Sequence, residues 1–139
     1  FYPVWAYLYR IPYKTPKLDN DFHIIKEDYY EENGGIIFPN PNAPTGLMEE
    51  LDLIDDIVAH NQKSIVIIDE AYVDFGGVSA IPLVNKYENL LVVQTFSKSR
   101  SMAGMRIGFA IGNKELIKAM NDVKFSINSY TMNYTALLL

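Results

Sequence analysis

Apolar residues in this chain gather into short runs, and the spacing inside each run predicts the element it forms. Ser64-Ile65-Val66-Ile67-Ile68 is an unbroken, largely β-branched run, which reads as a strand buried on both faces of a parallel sheet. Ile36-Ile37-Phe38, with glycine before it and proline after it, predicts a second buried strand. Residues 90–94 and 106–111 predict two more. Between the first two, residues 49–61 carry Leu51, Ile54, Ile57 and Val58 at helical spacing. Another helix is expected over residues 82–88, and Asn113 is placed to cap one running from 114 to about 123. Residues 11–18, broken by Pro12 and Pro16, suit an edge strand, and residues 19–35 a short helix or turn ending at Gly34-Gly35. Strands alternating with helices give an α/β fold with a mostly parallel sheet flanked by helices. No repeat, low-complexity segment or linker interrupts it, so the chain is one domain or part of one.

Composition narrows the function. At 139 residues, 49% hydrophobic and 13% aromatic, the chain is large and apolar enough to bury a core, which excludes disorder. Twelve Lys and Arg against seventeen Asp and Glu leave a net charge of −5, so a nucleic-acid partner is not expected. The absence of cysteine excludes a disulfide scaffold, a thiolate metal site and a thiol nucleophile. With only His23 and His60, far apart in sequence, no metal centre is expected. No apolar stretch approaches the roughly 20 residues that span a bilayer, and no membrane partner is expected. The chain opens on Phe1 without a leader-like segment and stops in Ala136-Leu137-Leu138-Leu139 with no helix stop signal. It reads as an internal piece of a longer cytoplasmic protein.

In sheets of this kind ligands bind beyond the carboxyl ends of the strands. The first strand delivers Asn40, Asn42 and Thr45 there, in a proline-held loop. The second delivers Asp69 and Tyr72. The third delivers Thr95, Ser97 and Lys98, with Arg106 eight residues beyond the lysine. An acid, a phenol, hydroxyls, a lysine and an arginine suit a small anionic ligand carrying a carbonyl and a basic ring nitrogen. Pyridoxal phosphate is such a ligand. Lys98 could bond its aldehyde, and Asp69 could keep its ring nitrogen protonated. Tyr72 and an asparagine amide could hold its phenolic oxygen, and Ser97 and Arg106 its phosphate.

Three motifs in this order carry a resemblance. They are Asn40-Pro41-Asn42-Ala43-Pro44-Thr45-Gly46, then Ile67-Ile68-Asp69-Glu70-Ala71-Tyr72, then Thr95-Phe96-Ser97-Lys98 followed by Ala103-Gly104-Met105-Arg106-Ile107-Gly108. Together they resemble the fold-type-I pyridoxal-phosphate aminotransferases, and within these the histidinol-phosphate aminotransferases. The resemblance covers nearly the whole chain. It implies that residues 1–139 are a fragment of the large cofactor-binding domain, without the N-terminal segment and the C-terminal small domain. It implies Lys98 as the Schiff-base lysine and later the general base, Asp69 as partner of the pyridine nitrogen and Tyr72 as donor to the phenolate. Ser97 and Arg106, with Thr95 beside them, would serve the phosphate, and Trp5 would stack on the ring. Relatives commonly have asparagine at the position of Ala43, so Asn42 is expected to take over its contact. The implied reaction is transamination of L-histidinol phosphate with 2-oxoglutarate and glutamate, in histidine biosynthesis, by a cytoplasmic homodimer. Its partners would be a small amino donor and a 2-oxo acid acceptor.

Each residue also has a plainer explanation. Asp69 could cap a turn, Lys98 could be a solvated loop lysine, Trp5 and Tyr72 could be packing, and Arg106 could pair with an acid. What these leave unexplained is their shared address at strand ends. A related decarboxylase would use the same cofactor residues, and a non-catalytic binding module would have no chemical need of Lys98 and Asp69. The strand ending in Asp69-Glu70 also fits a Walker-B-like pair of a nucleotide hydrolase. That reading lacks the phosphate-binding glycine loop and leaves Lys98 and Arg106 idle.

Overall fold

The computed structural model describes residues 2–138. Phe1 and Leu139, the two ends of the sequence reading above, lie outside the described residues. Four strands form one sheet: β1 (Gly35–Pro39), β2 (Ile65–Asp69), β3 (Leu90–Thr95) and β4 (Gly108–Gly112), paired in that order. The helices are α1 (Tyr2–Leu8), α2 (Leu51–His60), α3 (Lys114–Ile127) and α4 (Tyr134–Leu137). β1, β2 and β3 run parallel, with Phe38 beside Ile68 and Ile68 beside Val92. β4 returns antiparallel to β3, Val93 facing Ala110.

The core lies on one side of the sheet. Ile36 and Phe38 of β1, Val66 and Ile68 of β2, and Leu90 and Val92 of β3 meet Ile54, Ile57 and Val58 of α2. The three α2 residues are wholly buried, and each such side chain contributes about 1.5–3 kcal/mol by leaving water. Ala80 and Tyr87 close the end of this core.

Several sequence expectations are corrected. β2 is not buried on both faces: Val66 and Ile68 are fully buried, but Ile65 is 41% exposed and Ile67 lies half-buried. α2 supplies Ile54, Ile57 and Val58 to the core face of the sheet, while α3 packs against β4. Residues 11–18 form no strand and are exposed; their two prolines lack ladder donors, and among the described residues no strand pairs with them. The helix expected over 82–88 is a 3-10 turn, Ile81–Asn85, with proline in its first turn. Residues 19–35 hold the 3-10 turn Lys26–Tyr29. Arg106 lies outside the fourth strand, which starts at Gly108. Asn113 does cap α3, its side-chain oxygen accepting the Glu115 N–H, but that helix continues past 123 to Ile127. Gly112 allows the close approach of β4 to β3, since a Cβ there would meet Leu91 Cδ1 at 2.8 Å and the Leu90 carbonyl oxygen at 3.0 Å.

Candidate functional site

The parallel run of β1, β2 and β3 brings their carboxyl ends to one edge of the sheet. Because β4 runs the other way, the residues leading into it arrive at that same edge. Asn40, Asp69, Tyr72, Thr95, Ser97, Lys98 and Arg106 are thus delivered together by topology.

The loop after β1 is built by Asn40, which is 1% exposed. Its N–H donates to the Asp69 carbonyl at 2.9 Å. Its side-chain amide donates to the Glu49 carbonyl at 3.1 Å and accepts the Glu49 N–H at 2.8 Å. Asn40 is therefore part of the scaffold. Asn42 donates one amide hydrogen to Thr45 Oγ1 at 2.8 Å, and its carbonyl accepts the Gly46 N–H. Gly46 holds φ 76° at this turn, a conformation that favours glycine. Pro41, Asn42, Ala43, Pro44 and Gly46, with Tyr72 and Phe75, line a cavity of about 340 Å³.

Asp69 is half-buried at the end of β2. Its Oδ1 accepts the Ala71 N–H at 3.1 Å, and its Oδ2 accepts the Tyr2 hydroxyl at 2.8 Å. Burial, and then the Asp69 carboxylate, push the Tyr2 phenol well above its ordinary range, so it stays protonated and donates. Tyr72 precedes the 3-10 turn Val73–Phe75, and the ammonium of Lys98 stands 5.1 Å from its ring centroid, a cation–π distance. Thr95 shapes the lysine loop: its Oγ1 accepts the Ser97 N–H at 3.1 Å and donates to the Ile107 carbonyl at 3.3 Å. The loop is closed at its root by the Phe96 N–H on the Ile107 carbonyl, 3.1 Å.

The structure thus joins Asp69 to Tyr2, and Lys98 to Tyr72, and sets Asn42 and Tyr72 in one cavity wall. Arg106 is exposed, in the left-handed region at φ 57°, with one guanidinium hydrogen on the Ala103 carbonyl at 3.0 Å. No contact among the described residues joins it to Ser97 or Lys98. Trp5 is 46% exposed and stacks on Tyr9 of its own helix segment. It lies one turn beyond Tyr2, whose bond to Asp69 brings α1 to the edge of the site.

Glu70 takes a different part from its neighbour. It is 1% exposed. Oε1 accepts the Ala80 N–H, and Oε2 accepts the Ser79 hydroxyl at 2.7 Å and the Gln94 amide at 2.8 Å. A carboxylate so engaged is not offered to magnesium, so the Walker-B-like pairing of Asp69 with Glu70 is withdrawn. Two groups escaped the sequence reading. Tyr2 is one of ten tyrosines with nothing local to mark it. Arg100 lies 4.6 Å over the Phe96 ring and 5.4 Å over Phe109, and pairs with Asp74 at 3.3 Å. Asp74 also accepts the Ser99 hydroxyl, so the turn after Tyr72 is clamped to the loop carrying Lys98.

Residues 5–138 match the family aminotransferase class I and II. Histidinol-phosphate aminotransferase 1 of Hydrogenovibrio crunogenus is 58% identical over 98% of this chain, which spans 38% of that relative. Among solved structures, the histidinol-phosphate aminotransferase of Clostridium acetobutylicum superposes with TM-score 0.75 at 27% identity, over 82% of this chain and 37% of that one. L-threonine-O-3-phosphate decarboxylase of Porphyromonas gingivalis gives TM-score 0.56 at 26% identity, over 60% of this chain and 27% of that one. The chain therefore spans well under half the length of the proteins it matches. It belongs to the class I and II aminotransferases.

Proposed function

We propose that this chain is part of the large cofactor-binding domain of a pyridoxal-phosphate enzyme that exchanges the amino group between L-histidinol phosphate and 2-oxoglutarate, in histidine biosynthesis. The observation that carries the reading is the delivery of Asp69, Tyr72 and Lys98 beyond the carboxyl ends of two adjacent parallel strands, with Lys98 over the Tyr72 ring. The relatives' names support the substrate. The homodimer and the cytoplasmic location implied by the resemblance belong to the same proposal.

The donor set fits the cofactor. Each oxygen of Asp69 accepts one hydrogen bond and keeps a further lone pair for a protonated ring nitrogen. The Tyr72 hydroxyl and the Ser97 hydroxyl make no hydrogen bond among the described residues, so both are open to donate. Among the described residues, Lys98 leans only on the Tyr72 ring. Asn42 spends one of its two amide hydrogens on Thr45, leaving the other for the contact that Ala43 cannot make. Arg106 retains most of its fork for a phosphate. Trp5, on the helix that reaches Asp69, would supply a stacking ring.

Bound pyridoxal phosphate supplies a conjugated, cationic ring that takes up the electron pair left when the substrate's α-hydrogen departs. Asp69 holds the ring nitrogen's proton in place. Lys98 would take the proton from the substrate carbon and return it. Tyr72 orients and holds the phenolic oxygen, while Ser97 and Arg106 fix the phosphate.

The test uses the full-length protein. Loading with pyridoxal phosphate, reduction with borohydride and peptide mapping should place the label on Lys98. Glutamate should form from L-histidinol phosphate and 2-oxoglutarate. Lys98→Ala should lower that rate by at least about 100-fold. A label on another lysine, or turnover retained in Lys98→Ala, overturns the assignment. Carbon dioxide from a phosphorylated amino acid, without glutamate, would give the decarboxylase instead.

A further inference from the structure

Tyr2 sits in the first turn of α1 and reaches across 67 positions of sequence to Asp69. We propose that Tyr2 is a positioning residue for Asp69, its hydroxyl fixing the carboxylate that receives the cofactor's ring nitrogen. The inference rests on the assignment of Asp69 made above.

The carboxylate is held from two sides. Oδ1 is fixed by the Ala71 N–H, which is backbone, and Oδ2 by the Tyr2 hydroxyl at 2.8 Å. One donor would leave the group free to turn about its bond to the chain; two donors on different oxygens fix its plane. The Tyr2 phenol is half-buried, and burial beside Asp69 keeps it protonated through the working pH range. It therefore acts as a constant donor and takes no part in proton exchange.

The test compares full-length wild type with Tyr2→Phe, Asp69→Asn and the double variant, each titrated with pyridoxal phosphate and followed by fluorescence quenching. Tyr2→Phe keeps the ring and removes only the donor. It should weaken cofactor binding by about 10-fold, the size expected for a hydrogen bond to a charged group. In the Asp69→Asn background the same change should alter binding by less than about 2-fold, because the charged partner is gone. Unchanged affinity in Tyr2→Phe overturns the inference, as does an equal loss in both backgrounds or a Tyr2→Phe protein that does not fold. Tighter binding overturns it too, since Tyr2 would then compete with the cofactor for Asp69. If Asp69→Asn binds as wild type does, the assignment of Asp69 itself fails. If Asp69→Asn is weakened and Tyr2→Phe is not, only the role of Tyr2 fails.

Discussion

Asp69 and Glu70 are adjacent carboxylates with opposite tasks, because successive residues of an extended chain point to opposite sides. Glu70 points into the protein and is consumed by Ser79, Ala80 and Gln94. Asp69 stays half-buried and keeps spare acceptor capacity. Asn40 resembles Glu70 in being spent on structure. Replacing it with alanine strands the Glu49 N–H and carbonyl, and Asn40→Ala should cost about 2 kcal/mol in urea unfolding. The strand-end positions of Asp69, Tyr72 and Lys98 were legible in the sequence, since Asp69 directly follows an apolar run and the other two lie within a few residues of the end of one. The tasks of Asn40 and Glu70 were not. Their partners lie 9 and up to 24 positions away, and only the folded chain brings them together.

At the level of elements, α2 was legible from Leu51, Ile54, Ile57 and Val58 because one helical face repeats in sequence. The direction of β4 was not, since an apolar run reads alike in either sense. The residues at 11–18 misled because extended, proline-bearing backbone has the local character of an edge strand whether or not a sheet lies beside it. The contact between α2 and the turn Ile81–Asn85 depends on charge. Lys86 donates to both oxygens of Asp55, at 2.7 and 2.8 Å, and this holds the Asp55 carboxyl below its ordinary range. A depressed acid adds stability above its unfolded value, about 3.9, and that stability is lost as pH falls through the lower folded value. Asp55→Asn should therefore lower the thermal midpoint at pH 7, and the gap from wild type should close in melts taken at progressively lower pH below about 4. The clamp of Arg100 on Phe96, Phe109 and Asp74 makes a second prediction of this scale. Arg100→Ala should raise hydrogen exchange across residues 96–107 while leaving α2 protected.

Across the whole molecule, the α/β class and the parallel order of the first three strands were legible from the alternation of runs. The half-open sheet was not. Ile65 and Ile67 of β2 and Leu91 of β3, with Leu116, Ala119, Met120 and Val123 of α3, line an apolar trough of about 440 Å³ on the side opposite the core. A strand apolar on both sides reads as doubly covered, and α2 covers only one. The chain spans 38% of the histidinol-phosphate aminotransferase 1 of Hydrogenovibrio crunogenus, and under the proposed function further chain would be laid over this face. Expressed by itself, the 139-residue chain should bind the dye ANS more strongly per mole than the full-length protein. Equal binding would mean that the trough stays open in both.

The root of the lysine loop has one more consequence. Phe96 and Ile107 are bonded across the base of the excursion, and the antiparallel return of β4 plants both ends in the same ladder. Lys98 leaves from the end of β3 and Arg106 leads into β4, so the register between these two strands sets the spacing of the amine and the guanidinium. A shift of β4 by one pair along β3 would change that spacing and break the bond between Phe96 and Ile107. A lengthening of this segment would likewise separate two groups that, under the proposed function, one cofactor would span.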